Sequence, residues 1–116
     1  METIPLSINA FKLSNWLNSS SSKPLIIDVR ENQELELARF PDTTIHIPMS
    51  KVSIPYVKSE LSNLLERKFV ILCHKGIRSF AFGKWLLDNN FLDEVWNLEE
   101  GIDGWSKDID PTIPRY

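Results

Sequence analysis

The chain has 116 residues, 42% of them hydrophobic and 25% charged. These are the proportions of an ordinary soluble globular chain, so a single domain over residues 1–116 is expected, large enough to bury roughly two-thirds of its unfolded surface. A net charge of −3 without a basic run argues against nucleic acid as a partner, and no stretch reaches the roughly 18 apolar residues of a membrane span.

One cysteine cannot close an internal disulfide, and Met1 to Ala10 lacks the basic and apolar regions of a signal peptide. Both point to a reducing, cytoplasmic location. Ile4-Pro5-Leu6 suggests a short edge strand, with Ser7 as the cap of a following helix in which Leu13, Trp16 and Leu17 recur at helical spacing. Ser19 to Ser22 forms a polar turn. Leu25-Ile26-Ile27, ending in Asp28, is an unbroken apolar run of the kind buried on both faces of a sheet. Glu31 to Ala38 is acidic and helix-prone, and Thr44 to Ile47 is a second brief strand closed by Pro48. Pro55 interrupts any helix begun at Ser50, and Leu61, Leu64 and Leu65 form an apolar stripe after it. Phe69 to Leu72 is the next buried strand. Ser79 to Asn89 is the clearest helix, with Phe82, Trp85 and Leu86 on one face and Asn90 as its C-terminal cap. Glu94 to Leu98 is another strand, Gly101 opens a turn, Ile102 to Ser106 adds a helical turn, and Pro111 to Tyr116 is an extended tail. Short apolar strands alternating with helices imply an α/β fold, with a mainly parallel sheet flanked by helices on both faces.

The lone cysteine, Cys73, stands where the strand Phe69–Leu72 ends and a helix is about to begin. Most lone cysteines are inert small hydrophobes. Here the sequence that follows argues for a reactive one. A thiol at a strand-to-helix turn meets backbone N–H groups and the positive end of a helix dipole, which favour the thiolate. Gly76 lets neighbouring amides point inward, and a run of such amides binds anions. Lys75 and Arg78 add positive charge, Arg78 with a fork suited to an oxyanion. Sheets of this type bind ligands at the carboxyl ends of their strands, where Cys73 lies.

Cys73-His74-Lys75-Gly76-Ile77-Arg78-Ser79 resembles the active-site loop of the rhodanese superfamily of sulfurtransferases. Three more segments are similar to that family in the same order: Leu25-Ile26-Ile27-Asp28-Val29-Arg30 with Glu34, Thr44-Ile45-His46-Ile47-Pro48, and Asn97-Leu98-Glu99-Glu100-Gly101-Ile102-Asp103-Gly104-Trp105. Two departures stand out. Arg39-Phe40-Pro41 occupies the place of a usual Gly-His-Ile, and Glu100 replaces the first glycine of a usual Gly-Gly pair. The resemblance implies a rhodanese-like α/β domain in which the Cys73 thiolate takes sulfane sulfur from a small anionic donor such as thiosulfate. A thiol or a partner protein would then accept that sulfur. It further implies that amides from His74 to Ser79 hold the persulfide, with Lys75 and Arg78 binding the donor.

Related phosphatases place five residues between cysteine and arginine. Only four, His74 to Ile77, lie between Cys73 and Arg78, a tighter ring that disfavours phosphate. A sulfur-relay module serving a protein partner, with low small-molecule turnover, is the competing reading. Asp28 and Arg30 are expected to fix loops by pairing, and His46 to be structural. His74 either modulates the thiolate or faces solvent. Ser79 is either a helix cap or a hydroxyl donor to the sulfur. Trp16, Trp85, Trp96 and Trp105 are expected in the core. No metal-ligand spacing links Cys73, His74 and His46, and no motif calls for a cofactor.

Overall fold

The computed structural model describes residues 3–19 and 22–116, so the polar turn at Ser19 to Ser22 lies partly outside them. Five strands form one sheet: β1 (Leu6–Ile8), β2 (Leu25–Asp28), β3 (Thr44–His46), β4 (Phe69–Leu72) and β5 (Trp96–Leu98). Their order is β1-β5-β4-β2-β3, and every pairing is parallel. Helices α1 (Ala10–Leu17), α2 (Asn32–Leu37), α3 (Ile54–Leu61), α4 (Ile77–Asp88) and α5 (Gly101–Asp108) connect or follow them. The α/β architecture with a parallel sheet covered on both faces is therefore as expected.

Strand alternation divides the core in two. Ile26, Val70, Leu72 and Leu98 join Leu13 and Leu17 of α1 and Ile102 and Trp105 of α5 on one face. Ile27, Phe69, Ile71 and Cys73 join Val57 and Leu61 of α3 and Phe82 and Leu86 of α4 on the other. All four residues of β4 are fully buried, which is why that strand reads as a continuous apolar run rather than an alternating one. Each such side chain contributes about 1.5–3 kcal/mol by leaving water. From β2 the chain steps to β3 at one edge, and from β4 it steps the opposite way to β5. The carboxyl ends of β2 and β4 thus flank a topological switch point, the place where parallel sheets open a crevice.

Several local expectations change. Ser7 lies within β1, paired beside Asn97; the cap of α1 is Asn9, whose Oδ1 accepts from the Lys12 amide at 2.8 Å. No helix runs from Ser50 past Pro55, but Pro55 itself belongs to one. It sits in the first turn of α3, where its missing N–H has no helical partner to lose. Met49–Lys51 forms a separate 3-10 turn, and of the Leu61, Leu64 and Leu65 stripe only Leu61 is fully buried. Helix α4 begins two residues early, capped by Gly76, so Ser79 falls in its first turn and is not the cap. Asn89 caps its other end, and Asn90 follows with a positive φ. Of the four tryptophans only Trp105 is buried, the others being half-buried at the edges of the core. The tail runs through a turn before extending, held by the Ser106 hydroxyl donating to the Ile113 carbonyl at 2.5 Å.

The two departures from the expected segments are accommodated in different ways. Phe40 is buried and its ring lies 4.8 Å from that of Trp105. Glu100 caps α5 with an ordinary φ of −112°, so that position does not demand glycine. Gly101 does demand it: φ is +61°, and a Cβ there would stand 2.4 Å from the His74 carbonyl oxygen. Gly101→Ala is therefore expected to lower the unfolding free energy by roughly 1–3 kcal/mol, read from the urea midpoint. An unchanged midpoint would contradict this account of the turn.

Candidate functional site

The loop from Cys73 to Ser79 leaves β4 and enters α4, and its backbone polarity is sorted. Inward, the Gly76 amide donates to Cys73 Sγ at 3.1 Å and the Ser79 amide at 3.4 Å. The Ser79 hydroxyl is 3.2 Å from the same sulfur. Outward, the carbonyls of Cys73 and His74 accept from the Ile102 and Asp103 amides in the first turn of α5, at 2.9 and 3.0 Å. The Gly76 carbonyl accepts from Asn97 Nδ2 at 3.1 Å. Gly76 allows this turn because its φ is +96° and a Cβ would overlap the Glu99 carbonyl oxygen at 2.1 Å. Amides converging on one atom at the start of a helix favour negative charge there, whether on the sulfur or on an atom bonded to it.

A second layer surrounds the loop with charge. Arg30 is fully buried. It binds the Asp28 carboxylate through Nε and Nη2, and its Nη1 donates to the Ala38 carbonyl at 2.8 Å and to the Tyr116 hydroxyl at 3.2 Å. Burial alone would lower the Arg30 pKa, but the bonds to Asp28 and Tyr116 together carry it above the usual value. Tyr116 donates in turn to Glu34 Oε1 at 3.0 Å. Glu34 accepts a bidentate pair from Arg78 at 2.6 and 2.7 Å. The Arg78 hydrogen bonds hold the Glu34 carboxyl at a pKa of about 2, and the Arg78 guanidinium is raised correspondingly.

The six residues after Cys73 thus come together, but in different ways. Arg78 faces Glu34 rather than standing alone. Lys75 and Ile77 are exposed at the rim, Ile77 to 79%. His74 does not simply face solvent. Its ring stacks on Tyr116 with centroids 3.9 Å apart, and its Nε2 is buried without a hydrogen-bond partner among the described residues. His46 is structural, its Nε2 donating to the Arg30 carbonyl at 2.6 Å. Cys73, His74, Lys75, Ile77 and Arg78 line a cavity of about 270 Å³. A larger cleft of about 360 Å³ at the opposite, amino ends of β4 and β5 contains neither cysteine nor histidine.

Two residues escaped the sequence reading. Asn97 sits on β5 between Trp96 and Leu98, which face α1 and α5, so alternation sends it toward Cys73. An amide on the inward face of a buried strand was the available signal. Tyr116 had none, because its role depends on the tail folding back over Arg30.

The family model for the rhodanese-like domain matches residues 10–108. The chain is 29% identical over 115 residues to the adenylyltransferase and sulfurtransferase UBA4 of Debaryomyces hansenii, a match covering 96% of this chain and 26% of that protein. It is 34% identical over 93 residues to the rhodanese-like/PpiC domain-containing protein 12, chloroplastic, of Arabidopsis thaliana, covering 78% of this chain and 30% of that one. The chain therefore spans less than a third of the length of these curated relatives. Among solved structures it superimposes on a rhodanese-like domain protein from Staphylococcus aureus with a TM-score of 0.70 and 25% identity, covering 96% of this chain and 98% of the other. A rhodanese-related protein from Thermoplasma volcanium gives 0.68 and 27%, covering 96% and 99%.

The Arg78–Glu34 pair makes a pH prediction. A carboxyl whose pKa falls from 4.5 to about 2 on folding stabilises the protein above the unfolded value. That contribution fades as pH drops from about 4.5 toward 2. With one partner a third exposed, its size is on the order of 2 kcal/mol. Glu34→Gln should be less stable than wild type at neutral pH and converge with it near pH 2, as followed by denaturant titration across that range. Parallel stability curves would disprove the pairing.

Proposed function

The chain belongs to the rhodanese-like domain family, and on that premise we propose that it transfers sulfane sulfur through a persulfide on Cys73. The observation that carries this reading is the convergence of the Gly76 and Ser79 amides on Cys73 Sγ at the end of β4. In the first half-reaction the Cys73 thiolate attacks the outer sulfur of a donor such as thiosulfate. A bond forms between the two sulfurs, the donor's S–S bond breaks, and sulfite departs with the electron pair. In the second, a thiophilic acceptor attacks the outer sulfur of the Cys73 persulfide, and the thiolate is restored. The loop amides oppose the negative charge that the persulfide carries, as oxyanion-hole donors do.

His74, Lys75, Gly76, Ile77, Arg78 and Ser79 form the binding loop in this reading. Lys75 at the rim attracts the anionic donor. Arg78 contributes a positive wall, held in place by Glu34. The ring of four residues between Cys73 and Arg78 fits a sulfur atom better than a tetrahedral phosphate. A cytoplasmic location fits the single unpaired cysteine, and no helix among the described residues is long and apolar enough to cross a membrane.

A second reading, a relay domain that receives or delivers sulfur within a larger assembly, has its own support. The Debaryomyces relative named as an adenylyltransferase and sulfurtransferase is about four times as long as the matched segment, and two apolar side chains, Ile77 within the loop and Phe80 just after it, are exposed.

Intact-mass measurement after incubation with thiosulfate separates the two. Wild type is expected to gain one sulfur atom, lose it to cyanide and release thiocyanate, whereas Cys73→Ser takes up none. Sulfur uptake by Cys73→Ser would end the persulfide reading. Absence of uptake by wild type from thiosulfate, with uptake from a protein persulfide, would favour the relay.

A further inference from the structure

The hydrogen atoms around Cys73 can be placed by elimination. Asn97 is buried, and its Nδ2 lies 3.1 Å from the Gly76 carbonyl, which can only accept. The amide is therefore oriented with Nδ2 on that carbonyl and Oδ1 toward Ser79. Oδ1 carries no hydrogen, so across the 2.5 Å contact the Ser79 hydroxyl must donate. A hydroxyl has one proton. With it directed at Asn97, Ser79 presents lone pairs to Cys73 Sγ 3.2 Å away, and the bond between them needs the thiol proton. The sulfur then accepts from two amides and donates once. The opposite assignments set two acceptors face to face, either Oδ1 against Oγ or Oδ1 against the Gly76 carbonyl.

We propose that Asn97 is a positioning residue that aims the Ser79 hydroxyl away from Cys73, so that Ser79 holds the resting sulfur as a thiol through the chain Sγ–H to Oγ–H to Oδ1. When the thiol gives its proton to solvent, the Ser79 hydroxyl turns from Asn97 to the sulfur and becomes a third donor to the anion. Asn97 is thus the counterweight that the sulfur must outcompete. It ties the same side chain to Gly76, whose amide is one of the two fixed donors. The proposal rests on Cys73 as the reacting atom of the sulfur-transfer reading, but its test reads the thiol itself, whether or not sulfur is taken up.

Because Cys73 is the only cysteine, its S–H stretching band in the infrared is unambiguous. Wild-type protein at neutral pH is expected to show that band at a lower frequency than Ser79→Ala, where the thiol has lost its acceptor. No S–H band, or a band that Ser79→Ala leaves unmoved, overturns the proposal. Asn97→Leu releases the Ser79 proton to the sulfur, so alkylation by iodoacetamide at neutral pH should accelerate roughly threefold or more as the thiolate fraction rises. Adding Ser79→Ala should remove the gain. If Asn97 only braced the loop, its loss would disorder the amides and slow the reaction. A rate equal to or below that of wild type overturns the proposal, and if Asn97→Leu does not fold, the Ser79→Ala band decides.

Discussion

A loop that turns its Gly76 and Ser79 amides toward one sulfur atom does not spend them on its own carbonyls, and three of those carbonyls draw donors from elements beyond the loop. The first two of these carbonyls, on Cys73 and His74, are met by the Ile102 and Asp103 amides, groups that the start of any helix leaves unbonded. The third, on Gly76, is met by Asn97. Helix α5 and strand β5 therefore do more than complete the sheet. Each brings donors that a loop of this polarity lacks, and each must come within backbone contact of it. That is why Gly76 and Gly101 are the two glycines with positive φ, each pressed against a carbonyl of the other's segment.

Beneath this backbone arrangement lies a line of alternating charge: Asp28, Arg30, Glu34 and Arg78, with the Tyr116 hydroxyl bridging the middle two. An isolated Arg30 at that depth would be strongly unfavourable, yet every nitrogen of its guanidinium has an acceptor. The two guanidinium groups thus reach different ends. Arg30 locks α2 and the segment after it to β2. Arg78 joins the first turn of α4 to α2 across the crevice. Positive charge remains beside the cysteine, but its position is fixed by a carboxylate.

What could be read directly from the sequence followed from periodicity. Phe69-Val70-Ile71-Leu72 and Leu25-Ile26-Ile27 carry no polar position, as a strand covered on both faces requires, and the parallel sheet and the placement of Cys73 at a strand end follow from that reading. The resemblance of the loop then located the candidate site. Boundaries that hinge on a single side chain were harder. Ser7 and Asn9 are both able caps, and β1 wins Ser7 because pairing with β5 extends that far. Pro55 breaks a helix in its interior but opens one in its first turn, and composition does not distinguish those positions. Partnerships across the fold were least legible. Nothing local says that Glu34 will take Arg78, 44 residues away, that Tyr116 will cover His74, or that Asn97 will reach Ser79.

Strand β5 has a consequence for the order in which the molecule is made. It lies between β1 and β4, so β1, the earliest of these five strands in the chain, has no sheet neighbour among the described residues until Trp96–Leu98 emerge nearly ninety residues later. Strands β2, β3 and β4 can assemble beforehand, carrying Cys73 at their open end. During that interval the nascent chain holds its thiol without Asn97 and without the amides of α5. The seal around the sulfur therefore closes late, with β5 and α5, the first of which also gives β1 its partner in the sheet.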